Sequence, residues 1–284
     1  MTRKPHLFKA LKPTVTAPGR SPYYRAIAIC ALAMGLTGCD FVGTFAKEMV
    51  VAASSHRGWS TFTFKGQLPA EFGIDAIAFY GPDDPSKSRC RAATFTPGKT
   101  VTRQHGQRYT AAISDQPQAF SFDIPLSYYE GLCGMKLGRV ALEIKVRYGK
   151  EKWQKTYADG NIYIGTTANP RTSYFDASGV LNINAECSFM FQESKLYLSL
   201  SKLMNCKGPG AHLLRENISG KIVNLVITAN PEEEPSQTEA WIRFPNGWKP
   251  CAHKDGWRWC RDPIEFKTFQ MNGQTCTIYP GCTE

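Results

Sequence analysis

The sequence predicts a mainly β protein, antiparallel and sandwich-like, stapled by disulfides and built as up to two modules. Three observations carry that expectation. Several segments alternate apolar and polar residues, Gly and Pro punctuate the chain between them, and the cysteines beyond residue 39 are even in number. A period of two places every second side chain on the same sheet face, whereas a helix repeats at 3.6.

Residues 1–38 read as an export signal. Thirteen residues from Ala26 to Gly38 carry no charge. A helix needs about 20 residues to cross a hydrocarbon core of about 30 Å, so this run is too short to span. It is the right length for the apolar region of a secretory signal. Arg3, Lys4, Lys9, Lys12, Arg20 and Arg25 precede it with no acidic residue among them, as an orienting segment requires. Small Thr37 and Gly38 stand just before Cys39, suiting a peptidase cleft that admits extended backbone.

At Leu36-Thr37-Gly38-Cys39 the sequence resembles a bacterial lipobox. The resemblance implies cleavage between Gly38 and Cys39, thioether lipidation of Cys39 and acylation of the new amino terminus. Each buried CH₂ contributes about 0.8 kcal/mol, so several acyl chains hold such a protein on a membrane. Asp40 follows directly. In similar lipoproteins of enteric bacteria an aspartate there implies the inner membrane, periplasmic side, with the outer membrane as the alternative.

Export changes the reading of charge. The whole chain carries a formal +10, but six of its 34 basic residues precede Cys39, leaving 28 against 24 acidic residues, or +4. A nucleic-acid partner, reasonable for the raw total, is not expected for the mature chain.

Residues 39–57 are expected to form a lipid-anchored stalk, with a short helix over Phe41–Ser55 and a patternless Ser54–Gly58. A β-rich module is expected over 58–168 and a second, cysteine- and Trp-rich one over 169–284, divided after the turn at Asn169-Pro170. In the first, Phe120, Phe122, Ile124 and Leu126 alternate, as do Val140, Leu142, Ile144, Val146 and Tyr148. In the second, Leu181, Ile183, Ala185, Cys187, Phe189 and Phe191 form one series. Leu196, Leu198 and Leu200 form the next, after a Gln192-Glu193-Ser194 turn, and a short helix is expected at Ala211–Glu216.

Eight cysteines remain beyond the anchor: Cys90, Cys133, Cys187, Cys206, Cys251, Cys260, Cys276 and Cys282. In an oxidising compartment an even set reads as a disulfide framework. Of the 105 possible connectivities, pairing of neighbours is expected. No CxxC occurs, so neither a metal nor a cofactor is expected.

Catalytic patterns are weak. Gly98-Lys99-Thr100 resembles the end of a phosphate-binding loop, but Ala93 stands where its first glycine belongs. Ser199-Leu-Ser-Lys202 fits the S-x-x-K pattern without its companion motifs. His56, His105, His212 and His253 sit beside no obvious nucleophile, and Glu232–Glu234 reads as a solvated loop. No enzyme is expected. The unusual segment is Trp241–Phe266, where Trp241, Trp248, Trp257 and Trp259 alternate with Arg243, Lys249, Lys254, Arg258 and Arg261. Trp and Arg are enriched at binding hot spots. A recognition surface for protein, anionic lipid headgroups or glycan is one reading, and a small core roofed by cations is the other.

Two stretches, Phe120–Gly149 and Phe269–Glu284, resemble Proteobacterial lipoproteins encoded beside phospholipase effectors of type VI secretion, some of which serve as immunity proteins. That resemblance implies a tethered protein-binding module whose partner is a secreted effector. A structural or assembly lipoprotein of the envelope is the alternative, and an envelope enzyme ranks last.

Overall fold

The computed structural model describes residues 46–284 except 95, 97 and 253–258. Gly38, Cys39, Trp257 and Arg258 therefore lie outside the described residues. The chain divides into two units, Met1–Val50 and Val51–Glu284. Residues 46–50 of the first are helical, and the second opens with helical residues 51–53. Among the described residues, no helix is long and apolar enough to cross a membrane.

Among the described residues, nineteen strands follow. The first ten are β1 (His56–Arg57), β2 (Thr61–Leu68), β3 (Phe72–Pro82), β4 (Arg91–Ala93), β5 (Thr100–Thr102), β6 (His105–Ala111), β7 (Gln118–Pro125), β8 (Ser127–Glu130), β9 (Cys133–Arg147) and β10 (Lys155–Gly165). Then come β11 (Val180–Ser194), β12 (Ser199–Lys207), β13 (Gly210–Leu214), β14 (Ile222–Ala229) and β15 (Glu234–Pro235). The last four are β16 (Trp241–Phe244), β17 (Gly247–Pro250), β18 (Phe269–Met271) and β19 (Gln274–Cys276).

Fifteen-residue β9 is the spine of a seven-stranded sheet. One edge pairs with β3, which carries β6 on its far side. The other edge pairs first with β8 and then with β10. β1 joins β8, and β13 joins β10 in parallel. A six-stranded sheet runs β12-β11-β14-β2-β7, with β15 beside the far half of β11. Antiparallel pairs predominate, but β14 is parallel to both β11 and β2.

Alternation explains why these segments pair. Val140, Leu142, Ile144 and Val146 are buried on one face of β9, and Ile183, Ala185 and Cys187 on one face of β11. The inward residues of the two sheets form one continuous core with Phe62 and Phe64 of β2 and Val223 and Leu225 of β14. Each such large apolar side chain contributes about 1.5–3 kcal/mol when fully buried.

Three expectations are corrected. The division at 168 and 169 is not a module boundary: β13 completes the first sheet and β2 and β7 complete the second, so both sheets mix strands from either side. Residues 51–284 form one unit, in which the inward faces of the two large sheets share one core. Ala211–Glu216 is not a helix but the end of β13 followed by a 3₁₀ turn over Arg215–Asn217, because parallel pairing with β10 overrides local propensity. The turn between β11 and β12 falls at 195–198, so Leu196 and Leu198 are exposed and only Leu200 enters a core. The end of the stalk is also ordered, since His56 and Arg57 pair with Tyr129 and Tyr128.

A smaller core lies at the far half of β11 and β12. Phe191 and Leu200 meet Ala240, Trp241, Phe269, Cys276 and Tyr279, which belong to the two carboxy-terminal hairpins. Asn272 and Gly273, both at positive φ, make the two-residue turn between β18 and β19. That turn demands left-handed backbone, which Asn-Gly accepts at little cost.

Candidate interaction surfaces

All four disulfides join neighbours, as expected. Cys90–Cys133 ties a 3₁₀ turn to the start of β9, and Cys187–Cys206 links directly opposed residues of the β11–β12 hairpin. Cys251–Cys260 and Cys276–Cys282 close short loops of the carboxy-terminal hairpins.

The candidate catalytic patterns do not assemble. Residues three apart on a strand face opposite sides. Accordingly, the Ser199 hydroxyl turns to the Gln270 carbonyl (3.3 Å), while Lys202 donates to Glu233 at 2.6 Å. Tyr279 also donates to Glu233. Glu233 is thus folded back against the body, a correction to the solvated loop expected there: a lysine and a tyrosine hydroxyl hold it. Burial, reinforced by the Glu233 carboxylate, raises the Tyr279 phenol above its ordinary range. Gly98-Lys99-Thr100 turns between β4 and β5 with no helix to follow. His56, His105 and His212 each stack on a tyrosine (Tyr129, Tyr128 and Tyr163). His253 lies outside the described residues. Among the described residues, no three His, Cys, Asp or Glu side chains group to hold a metal ion.

The carboxy-terminal tryptophans divide between two roles. Trp241 is only 7 % exposed and packs edge-on against Phe191 and Phe269, so it is core rather than surface. The reason is register: β16 turns it inward beneath the β11–β12 hairpin, where a large ring is needed to fill the smaller core. Trp248 is half-buried, with the Arg243 guanidinium 5.6 Å from its ring. Lys249 lies near both Phe244 and Phe266 and pairs with Glu284. Trp259 is 53 % exposed, and Ile264 and Phe266 are exposed nearby in sequence. Of the aromatic and basic residues of this segment, Arg243, Trp259 and Phe266 are exposed, whereas Lys249 is mostly covered.

A second surface was not anticipated. The outer face of the seven-stranded sheet carries a row across four strands: Phe79, Arg139, Tyr163 and His212, each opposite the next. Arg139 sits 4.6 Å over the Phe79 ring, and Tyr163 stacks on His212 at 4.9 Å. Four residues back along β3, on the same face, Asp75 is only 1 % exposed, roofed by Arg108 and by Lys145 at 2.5 Å. Burial opposes its charge, but hydrogen bonds from Lys145, Thr110 and Arg108 outweigh it and hold the carboxyl below its ordinary range. The opposite outer face is plainer, with Asn182 hydrogen-bonded to Asn224 and Thr63 to Asp123. The signal for the row was present in the sequence as aromatics and arginine at the polar positions of alternating strands.

No protein-family model, curated protein or solved structure matches this chain.

Proposed function

We propose that the mature protein is a membrane-anchored periplasmic lipoprotein that works by binding another protein. In its sharpest form it is an immunity protein that neutralises an antibacterial phospholipase delivered by type VI secretion. The observation that carries the reading is the pairing of a lipobox at Cys39 with a body braced by four disulfides. Such bridges persist in oxidising compartments. They also keep a binding surface preformed and lower the ordering cost of capture. Exposed aromatic and cationic side chains, among them Trp259, Phe266 and Arg243, support binding. An inhibitor tethered to the membrane that a lipase attacks is concentrated where the damage occurs.

Co-expression with the neighbouring effector gene in the periplasm tests this. Toxicity should be relieved stoichiometrically by the wild-type chain and much less by Cys39→Ser. Continued killing despite a stable, exported wild-type chain would overturn the proposal and favour a structural role in the envelope. Palmitate labelling and membrane fractionation of Cys39→Ser test the anchor separately.

A further inference from the structure

Two large apolar side chains stand exposed side by side at the tip of the β11–β12 hairpin. Leu196 and Leu198 are 79 % and 78 % exposed, with Tyr197 half-exposed between them. Leu198 has φ of 47°, a left-handed conformation that glycine or asparagine adopts far more readily than a bulky residue. Solubility and backbone strain both disfavour leucine here, so neither accounts for its presence. The tip is nevertheless braced from the side. Tyr197 stacks on Trp153 of the β9–β10 loop with ring centroids 4.5 Å apart, and Cys187–Cys206 cross-links the hairpin at its other end. That loop adds exposed Lys150 and Lys152 to the exposed Lys195 of the tip, against two exposed acids, Glu151 and Glu193, the second already paired with Lys267. Beside the tip runs a groove of about 910 Å³, with Leu198, Trp241, Lys267 and Phe269 among its walls.

We infer that this double tip is a docking surface for a protein partner that presents an apolar cleft with an acidic rim. Leu196 and Leu198 enter the cleft, Tyr197 and Trp153 form its rigid shoulder, and the three lysines meet the rim. Strain and exposed apolar surface on a braced element are features of binding sites. Preformed aromatic and apolar anchors lower the cost of association. Position argues against the bilayer as occupant. β9 starts beside Gly131, which lies against Val51 at the start of the body, and ends at Arg147 next to the tip. The tip is therefore one long strand, about 45 Å at about 3.3 Å per residue, from Val51, where the chain enters the body. This inference rests on the proposed function, and it identifies the part of the surface that captures the effector. An enzyme that hydrolyses phospholipid holds acyl chains in an apolar cleft, the chemistry that two leucines match.

The test measures binding of the mature chain to a catalytically inactive form of the neighbouring phospholipase effector, by calorimetry and stopped flow. The double variant Leu196→Asp/Leu198→Asp should bind at least 100-fold more weakly with an unchanged thermal midpoint. Lys150→Glu/Lys152→Glu should slow association and flatten its salt dependence. Val226→Asp, an exposed apolar site on the outer face of the six-stranded sheet and away from the tip, should bind as wild type. Leu198→Gly relieves the backbone and should raise the thermal midpoint while weakening binding, a divergence that a purely structural role would not produce. Equal binding by wild type and the double variant overturns the docking tip and leaves the proposed function standing. A wild-type chain that does not bind the effector overturns the proposed function, and the docking tip with it. Tip-dependent binding to phosphatidylglycerol vesicles, or a dimer that the double variant dissolves, would also overturn the inference.

Discussion

Trp153 and Tyr197 stack nearly parallel, 15° apart, although one belongs to a hairpin of the seven-stranded sheet and the other to a hairpin of the six-stranded sheet. The contact joins the two sheets at the end where their hairpin loops meet. Aromatic pairs of this kind contribute about 0.5–1.5 kcal/mol beyond the area they bury. A double-mutant cycle with Trp153→Ala and Tyr197→Ala in urea should return a coupling in that range, and a coupling of zero would refute it. Trp153→Ala should also speed amide exchange in residues 195–198.

Asp75 makes stability depend on pH. Its carboxyl is held below the ordinary range in the folded chain, with Lys145, Thr110 and Arg108 prevailing over burial. A depressed folded value means that its contribution is present above the unfolded value of about 3.9 and is lost as pH falls through the folded value. Acid titration of wild type should therefore show stability falling below about pH 4. Asp75→Asn should lose stability at neutral pH, leaving Arg108 and Lys145 over an amide, and should show a shallower acid slope. An unchanged slope would contradict the assignment.

Three of the bridges, spanning the range of loop lengths, should rank by the chain they enclose. Sequence separations are 43 for Cys90–Cys133, 19 for Cys187–Cys206 and 6 for Cys276–Cys282. Loop-closure entropy then gives about 4, 3 and 2 kcal/mol in that order. Paired Cys→Ala variants measured by urea unfolding should follow it. A larger loss at Cys276–Cys282 than at Cys90–Cys133 would show that packing in the smaller core outweighs chain entropy.

Phe191 is the hinge of the smaller core, with ring centroids 4.1 Å from Tyr279 and 5.0 Å from Trp241. Phe191→Ala should cost about 3–5 kcal/mol through lost transfer energy and a residual cavity. Limited proteolysis should then cut within residues 236–284 first while the larger core survives. Simultaneous digestion of both would mean that the two cores unfold as one.

The strands, their inward faces and the neighbour pairing of cysteines were legible because each depends on local pattern. Strict alternation at Val140–Val146 and Ile183–Cys187 leaves one way to hide the apolar side chains, and cysteines close in sequence meet across a hairpin or a short loop. The Leu196–Leu200 series misled for the same reason: alternation was intact, but a turn interrupted it, and a period of two does not distinguish the end of a strand from a turn. The aromatic-basic segment was legible as composition only. Trp241 is core and Trp259 is surface although both belong to it, because register and the hairpin lying over it decide which ring is covered.

By itself the chain determined which stretches form strands and which of their faces turn inward, since these follow from repeated alternation, and neighbour pairing of the cysteines was an expectation that the structure bears out. Tertiary structure alone decided that strands from both halves share two sheets, that Asp75 lies beneath two cations, and that Trp153 meets Tyr197. Each of these brings together residues from different strands or loops, and side-chain periodicity along one strand carries no information about which distant strand lies beside it.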